Sequence, residues 1–92
     1  MSKLDEARRT IDEIDTELVS LFEKRMNAVK KVVEYKIEHD LPVLDSSREQ
    51  EIIEKNCSKL NDELYVSYFM SVYKEVLNTS KLYQQHIIEE EN

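Results

Sequence analysis

Arg25 and Lys36 are cations standing where an apolar helical stripe calls for leucine or valine, and Ser80 and Gln84 put neutral hydrogen-bonding groups in the same kind of position further along. A guanidinium or ammonium on the inward face of a helix loses hydration free energy unless an anion or a set of acceptors meets it. Arg25, Val29, Val32 and Lys36 follow steps of four, three and four. That spacing brings the two cations within about 20° of each other around the helix axis and about 16 Å apart along it. Two long side chains leaning inward from that separation can clasp a small dianion. Ser80 and Gln84, one turn apart, add a hydroxyl and an amide that donate at any pH. The four together describe a pocket for a small anion.

Each member also has a purely structural use. Arg25 can pair with a carboxylate of a neighbouring helix, and the chain has twenty acidic residues to offer. Lys36 lies near the expected helix end, where a cation complements the dipole. Ser80 and Gln84 can hydrogen-bond across helices, and Glu49 can be the returning half of a capping box opened by Ser46. Their coincidence on inward faces favours the pocket, because a small domain tolerates few unsatisfied buried polar groups. His39 stands beside Asp40 at a helix end and His86 stands late in the chain, neither with a second ligand at metal spacing. No serine or cysteine has a histidine base nearby in sequence, so neither metal nor covalent chemistry is expected. Tyr65, Tyr68, Phe69 and Tyr73 recur at helical spacing and read as packing.

Three elements must position these groups. Leu4, Ala7, Ile11, Ile14, Leu18, Leu21, position 25, Ala28, Val32 and Tyr35 make one stripe of alternating three- and four-residue steps. The stripe predicts a first helix from Lys3 to about His39, stopped because Pro42 disfavours helical geometry at Leu41. Such a helix is about 55 Å long, roughly twice the diameter of a compact domain of this mass, so its own chain cannot cover it. A short second helix is expected from about Ser46 to Leu60. A long third helix is expected after "KLND" towards Ile88, with Tyr65, Phe69, Val72, Val76, Tyr83 and Ile87 as its stripe and "EEEN" as a frayed end. The absence of glycine and the single proline leave little turn punctuation and favour long helices. The expected fold is all-α, three helices (long, short, long) in one domain over residues 1–92.

A net charge of -7 argues against nucleic-acid or acidic-membrane surfaces, which would repel the chain at long range. Cys57 is the only cysteine, so no disulfide framework is expected, and no apolar run approaches membrane length. The beginning of the chain carries no signal-peptide pattern, and the expected compartment is the cytoplasm. A chain of 92 residues buries only around two-thirds of its surface alone, which makes a partner plausible.

The residues also match a known pattern. "ARRTIDEID" near the start, "EKR" in mid-helix, "EYK" near its end, "PVLDSSRE" opening the second helix and "SKLYQQ" late in the third occur in order over nearly the whole chain. The set resembles the all-helical class of chorismate mutase. The resemblance implies rearrangement of chorismate to prephenate in aromatic amino-acid synthesis, without cofactor or metal, by an intertwined homodimer with two equivalent sites. It implies that Arg8 enters the other subunit's site, and that Arg25, Lys36, Arg48, Glu49, Ser80 and Gln84 are the remaining site residues. Asp45 falls on a loop residue whose backbone lies near the substrate hydroxyl. On this pattern Arg8 and Arg25 hold the carboxylates, Lys36 and Gln84 donate to the ether oxygen, Ser80 assists a carboxylate, Glu49 accepts from the ring hydroxyl, and Arg48 orients Glu49. Helix geometry agrees in one respect: Arg8 precedes Arg25 by seventeen residues, about 25 Å along the helix and 100° around it, out of reach of a ligand held by Arg25 of the same chain. An antiparallel partner helix would bring it there and would cover the surplus length. Two rival readings are an isochorismate-pyruvate lyase of the same fold and a non-enzymatic coiled-coil adaptor in which Arg25 only sets register.

Overall fold

The computed structural model describes residues 2–91. Three helices follow one another: α1 (Lys3–Glu38), α2 (Ser46–Cys57) and α3 (Val66–Glu91), with a 3-10 turn at Glu63–Tyr65 leading into α3. Ser2 starts α1 by accepting the Asp5 backbone N–H on its hydroxyl at 3.1 Å, and Asp5 and Glu6 in the first turn complement the helix dipole. The end of α1 is equally defined. His39 caps it, Asp40 takes a left-handed conformation with φ of 53°, and the Leu41 N–H reaches back to the Lys36 carbonyl at 2.8 Å. That six-residue closure with a left-handed residue just past the cap is a Schellman ending, and it turns the chain back towards Lys36.

The second helix begins one residue earlier in its capping than expected. Asp45, not Ser46, is the cap, its carboxylate accepting the Arg48 N–H at 3.1 Å. A carboxylate is as good a cap as a hydroxyl and adds charge complementarity to the dipole, so Ser46 becomes the first helical residue and Glu49 is released from any capping box. The helix also stops at Cys57, short of Leu60, where Ser58 turns the chain and its hydroxyl donates to the Lys55 carbonyl at 2.6 Å. Asp62 then caps the 3-10 turn through the Leu64 N–H at 3.0 Å. The tail expected to fray is helical through Glu91, and Asn92 lies outside the described residues. Among the described residues, no helix is long and apolar enough to cross a membrane.

Packing differs from the expected stripes. Among the described residues, Val29, Val33 and Leu77 are the buried apolar ones, Val33 completely so. Leu4, Ile11, Ile14, Leu18 and Leu21 are exposed, Leu18 at 60%. Helix α1 is too long for α2 and α3 to cover, so only its last third is packed, and the covered face is centred one step round from the stripe. On α3 the inward face is Leu77, Ser80 and Gln84, with Val72 exposed and Phe69, Val76, Tyr83 and Ile87 half-buried; Tyr65, expected in the same stripe, is exposed in the 3-10 turn before the helix. The chain measures 55 × 26 × 15 Å with a radius of gyration of 16.7 Å. A compact domain of this length would have a radius near 12 Å.

Asp40 supplies a test of the α1 ending. Left-handed geometry costs any residue with a Cβ, so Asp40→Gly should stabilise the protein by up to about 1 kcal/mol, and Asp40→Val should destabilise it by more than that. Urea-denaturation midpoints check the order; a midpoint for Asp40→Val at or above wild type would contradict it.

Candidate active site

The last third of α1, the start of α2 and the middle of α3 enclose a cleft of about 140 Å³. Val29, Val32, Val43, Ile52 and Leu77 form its apolar walls, and Arg25, Lys36, Asp45, Arg48, Glu49, Ser80, Lys81 and Gln84 its polar ones. Seven of the eight residues expected at the site are therefore brought together. Arg8 is not among them: it lies on the uncovered part of α1, about 25 Å along the helix from Arg25.

Arg25 and Lys36 are each held by neutral groups. Arg25 donates from Nη1 to the Ser80 hydroxyl, which in turn donates to the Val76 carbonyl at 2.9 Å. Its partner is thus a hydroxyl and not the helix-seam carboxylate that a purely structural arginine would take. Ser80 has given its only proton to Val76, so in this state it seats Arg25 and does not itself donate into the cleft. Lys36 donates from Nζ to the Val43 carbonyl at 2.8 Å and to Gln84 Oε1 at 3.1 Å. An ammonium has three N–H groups, so one remains for a ligand. The Gln84 carbonyl being taken, its NH₂ end is the part left to donate. Ser80 and Gln84 are each only 6% exposed. Their burial is tolerable because every buried side-chain polar atom among the described residues has a partner.

The acidic side of the cleft is arranged differently from expectation. The Arg48 backbone N–H and the Ser47 hydroxyl, both bonded to the Asp45 carboxylate, hold that carboxyl below its ordinary range; Lys36 and Arg48 charges add to the effect and partial desolvation opposes it. Arg48 does not orient Glu49. Its guanidinium turns outward to Glu51 at 3.5 Å, three residues ahead on the same helix, while Glu49 accepts from Lys81 Nζ across the α2–α3 gap at 3.3 Å. Lys81 is a cleft residue that sequence reasoning missed. Leu77, Ser80, Lys81 and Gln84 share one helix face by their three- and four-residue steps, a signal hidden because the stripe was drawn through Val76 and Tyr83. His39 stacks on Tyr35 with ring centroids 4.0 Å apart, and His86 pairs with Glu90 at 3.0 Å, so both histidines are engaged away from the cleft.

The domain is all-helical, and its cleft presents two cations seated on neutral partners beside a buried amide, a set of donors suited to a small anion. Comparison with known proteins gives the family. The chain belongs to the chorismate mutase type II family, whose model matches residues 7–85. It is 30% identical over 93 residues to a chorismate mutase of Methanocaldococcus jannaschii, covering 98% of this chain and 92% of that protein. It is 35% identical over 83 residues to a bifunctional chorismate mutase/prephenate dehydratase of Aquifex aeolicus, covering 85% of this chain. A protein of the same description from Buchnera aphidicola is 31% identical over 83 residues. The chain spans 23% and 21% of the length of these two bifunctional relatives.

The depressed Asp45 carboxyl makes a pH prediction. A group whose folded value is lowered stabilises the fold above its unfolded value, and that contribution disappears as pH falls through the folded one. Asp45→Ala should therefore melt at a lower temperature than wild type at neutral pH, with the gap closing below about pH 4. Thermal melts across pH test this; a gap independent of pH would show that the ionised cap is not the cause.

Proposed function

We propose that two copies of this chain form an intertwined homodimer that rearranges chorismate to prephenate, in the cytoplasmic synthesis of phenylalanine and tyrosine. The observation that carries the reading is the Lys36–Gln84 pair. Their mutual hydrogen bond leaves one ammonium N–H and one amide NH₂ to donate beside each other in the cleft.

A pericyclic rearrangement needs no nucleophile and no proton shuttle. It needs a compact conformer and stabilisation of the negative charge that gathers on the ether oxygen as the C–O bond breaks. Lys36 and Gln84 supply the donors, held by Val43 and by each other so that little reorganisation is needed when charge develops. Arg25, seated by Ser80, would bind one carboxylate, and the partner's Arg8 would bind the other. Glu49 would accept from the ring hydroxyl, near the backbone of Asp45. Arg48, at the mouth of the cleft, would add positive field from its exposed position beside Glu51. The apolar walls keep water from competing for these bonds.

The dimer rests on area and reach. The chain exposes 7672 Å², against about 5,600 Å² for a compact monomer of its mass. The surplus, roughly 2,000 Å² per chain, is of the size that permanent dimers bury. The apolar stripe of α1 is exposed from Leu4 to Leu21, and an antiparallel α1 from the partner would cover that stripe and bring Arg8 to the cleft. Loss of chorismate absorbance with prephenate identified as product tests the reaction. Release of pyruvate from isochorismate, without mutase activity, would establish the lyase reading instead, and failure to turn over either compound would return the chain to an adaptor.

Two experiments probe the machinery. Arg8→Ala and Arg25→Ala should each be nearly inactive, yet refolding them together should restore roughly a quarter of wild-type activity, because half of the dimers formed are hybrids with one intact site. No recovery in verified hybrids would count against a shared site. Gln84→Glu keeps the shape but donates only when protonated, so its kcat should be down by on the order of 10²-fold at neutral pH and climb as pH falls. The wild type should be nearly flat over the same range. Parallel profiles would remove Gln84 from the breaking bond.

A further inference from the structure

Lys81 has no part in the reading so far, yet it lines the cleft and makes the one ion pair that joins α2 to α3 among the described residues. Its side chain is 32% exposed and that of Glu49 24%, so the pair sits in the cleft wall, shielded from bulk water on one side. The surroundings of Glu49 explain why this matters. From α1, Arg25 and Lys36 face the cleft but direct their donors to Ser80, Val43 and Gln84. From α2, Arg48 turns out to Glu51, and Asp45 is occupied by the helix start. From α3 only Lys81 meets Glu49.

We propose that Lys81 is a positioning residue that fixes and neutralises the Glu49 carboxylate so that a dicarboxylate can bind beside it; this rests on the reading of the cleft as the chorismate site. A cleft built for a dianion otherwise carries a misplaced charge. Glu49 is suited to accept from a substrate hydroxyl, but an unpaired carboxylate at that place would repel both substrate carboxylates through a medium of low effective dielectric. Lys81 removes the repulsion without consuming the acceptor, since a carboxylate has two oxygens and several lone pairs and the ion pair engages Oε1. The hydroxyl is remote from the breaking bond, so the benefit falls equally on ground and transition states. It belongs in KM more than in kcat.

A double-mutant cycle separates this from the alternatives. Wild type, Lys81→Met, Lys81→Arg, Glu49→Gln and the Lys81→Met/Glu49→Gln pair are compared by calorimetric binding of a bicyclic dicarboxylate transition-state analogue and by chorismate kinetics, with circular dichroism to confirm folding. Methionine retains most of the apolar stem, so packing is preserved. Lys81→Met should weaken analogue binding on the order of tenfold and raise KM similarly, leaving kcat within about threefold. Lys81→Arg should recover most of the loss. In the Glu49→Gln background, where there is no charge to neutralise, Lys81→Met should change binding less than about twofold. An equal penalty in both backgrounds would mean that Lys81 attracts the ligand directly, and no penalty in either would mean that the pair is structural only; each result overturns the proposal. Failure of the wild type to bind the analogue would instead overturn the reading of the cleft itself.

Discussion

The ammonium of Lys36 is the point on which the structure turns. It sits within the last turn of α1 and bonds at once to the Val43 carbonyl in the following connection and to Gln84 on α3. One side chain thereby fixes the α1 ending, the path into α2 and the rotation of α3. The Schellman closure at Asp40 is what makes this possible, because it brings the chain back over the helix it has just left. A cation at a helix C-terminus is ordinarily worth a few tenths of a kcal/mol through the dipole. Here the same ammonium is half-buried and hydrogen-bonded to two neutral acceptors, with one N–H to spare.

That arrangement follows from how little apolar core the chain has. Among the described residues, three buried aliphatic residues face two buried polar ones, an unusual balance for a stable interior. Hydrogen bonds reconcile the two. Gln84 receives from Lys36, and Ser80 both receives from Arg25 and gives to Val76. A half-satisfied network would cost more than an apolar core, whereas a satisfied one specifies a single rotation and height for α3. Residues 25 and 36 of α1 face residues 80 and 84 of α3, spans of about 16 Å and 6 Å, so the two long cationic side chains converge on α3 and bound a wedge between the helices. The second helix closes that wedge through Ile52 and the Glu49–Lys81 pair.

Three helices were legible in the sequence because a three- and four-residue rhythm runs unbroken for long stretches and Pro42 interrupts it once. The meeting of Arg25, Lys36, Ser80 and Gln84 was legible for a related reason: polar residues at inward positions must find each other. Boundaries were less legible. Asp45 and Ser46 both have cap chemistry, and only three-dimensional fit decides which accepts the Arg48 N–H. The buried face of α1 was read from the periodicity of its apolar residues, which marks an apolar face without saying what covers it. Leu4 to Leu21 are apolar yet exposed in one chain, and Val33, outside the stripe, is fully buried. The pattern does not say which apolar faces this chain's own helices cover. Lys81 and the outward turn of Arg48 were illegible because an exposed lysine and a cleft lysine have the same letter, and the difference lies in the rotation of α3 by a fraction of a turn.

An acidic chain that binds an anion needs its positive charge concentrated and its negative charge distant. The net charge is -7, but the interaction between exposed charges fades over a Debye length of about 8 Å at physiological salt. A dianion approaching the molecule therefore meets the general repulsion only weakly, while inside the cleft the local cations act at hydrogen-bond range and through less water. The carboxylates near the cleft are each neutralised in place: Asp45 by the start of α2, Glu49 by Lys81 and Glu51 by Arg48. Arg25 and Lys36, in contrast, meet only neutral partners. The surplus positive charge of the cleft thus comes from where the acids are paired, not from how many acids the chain contains.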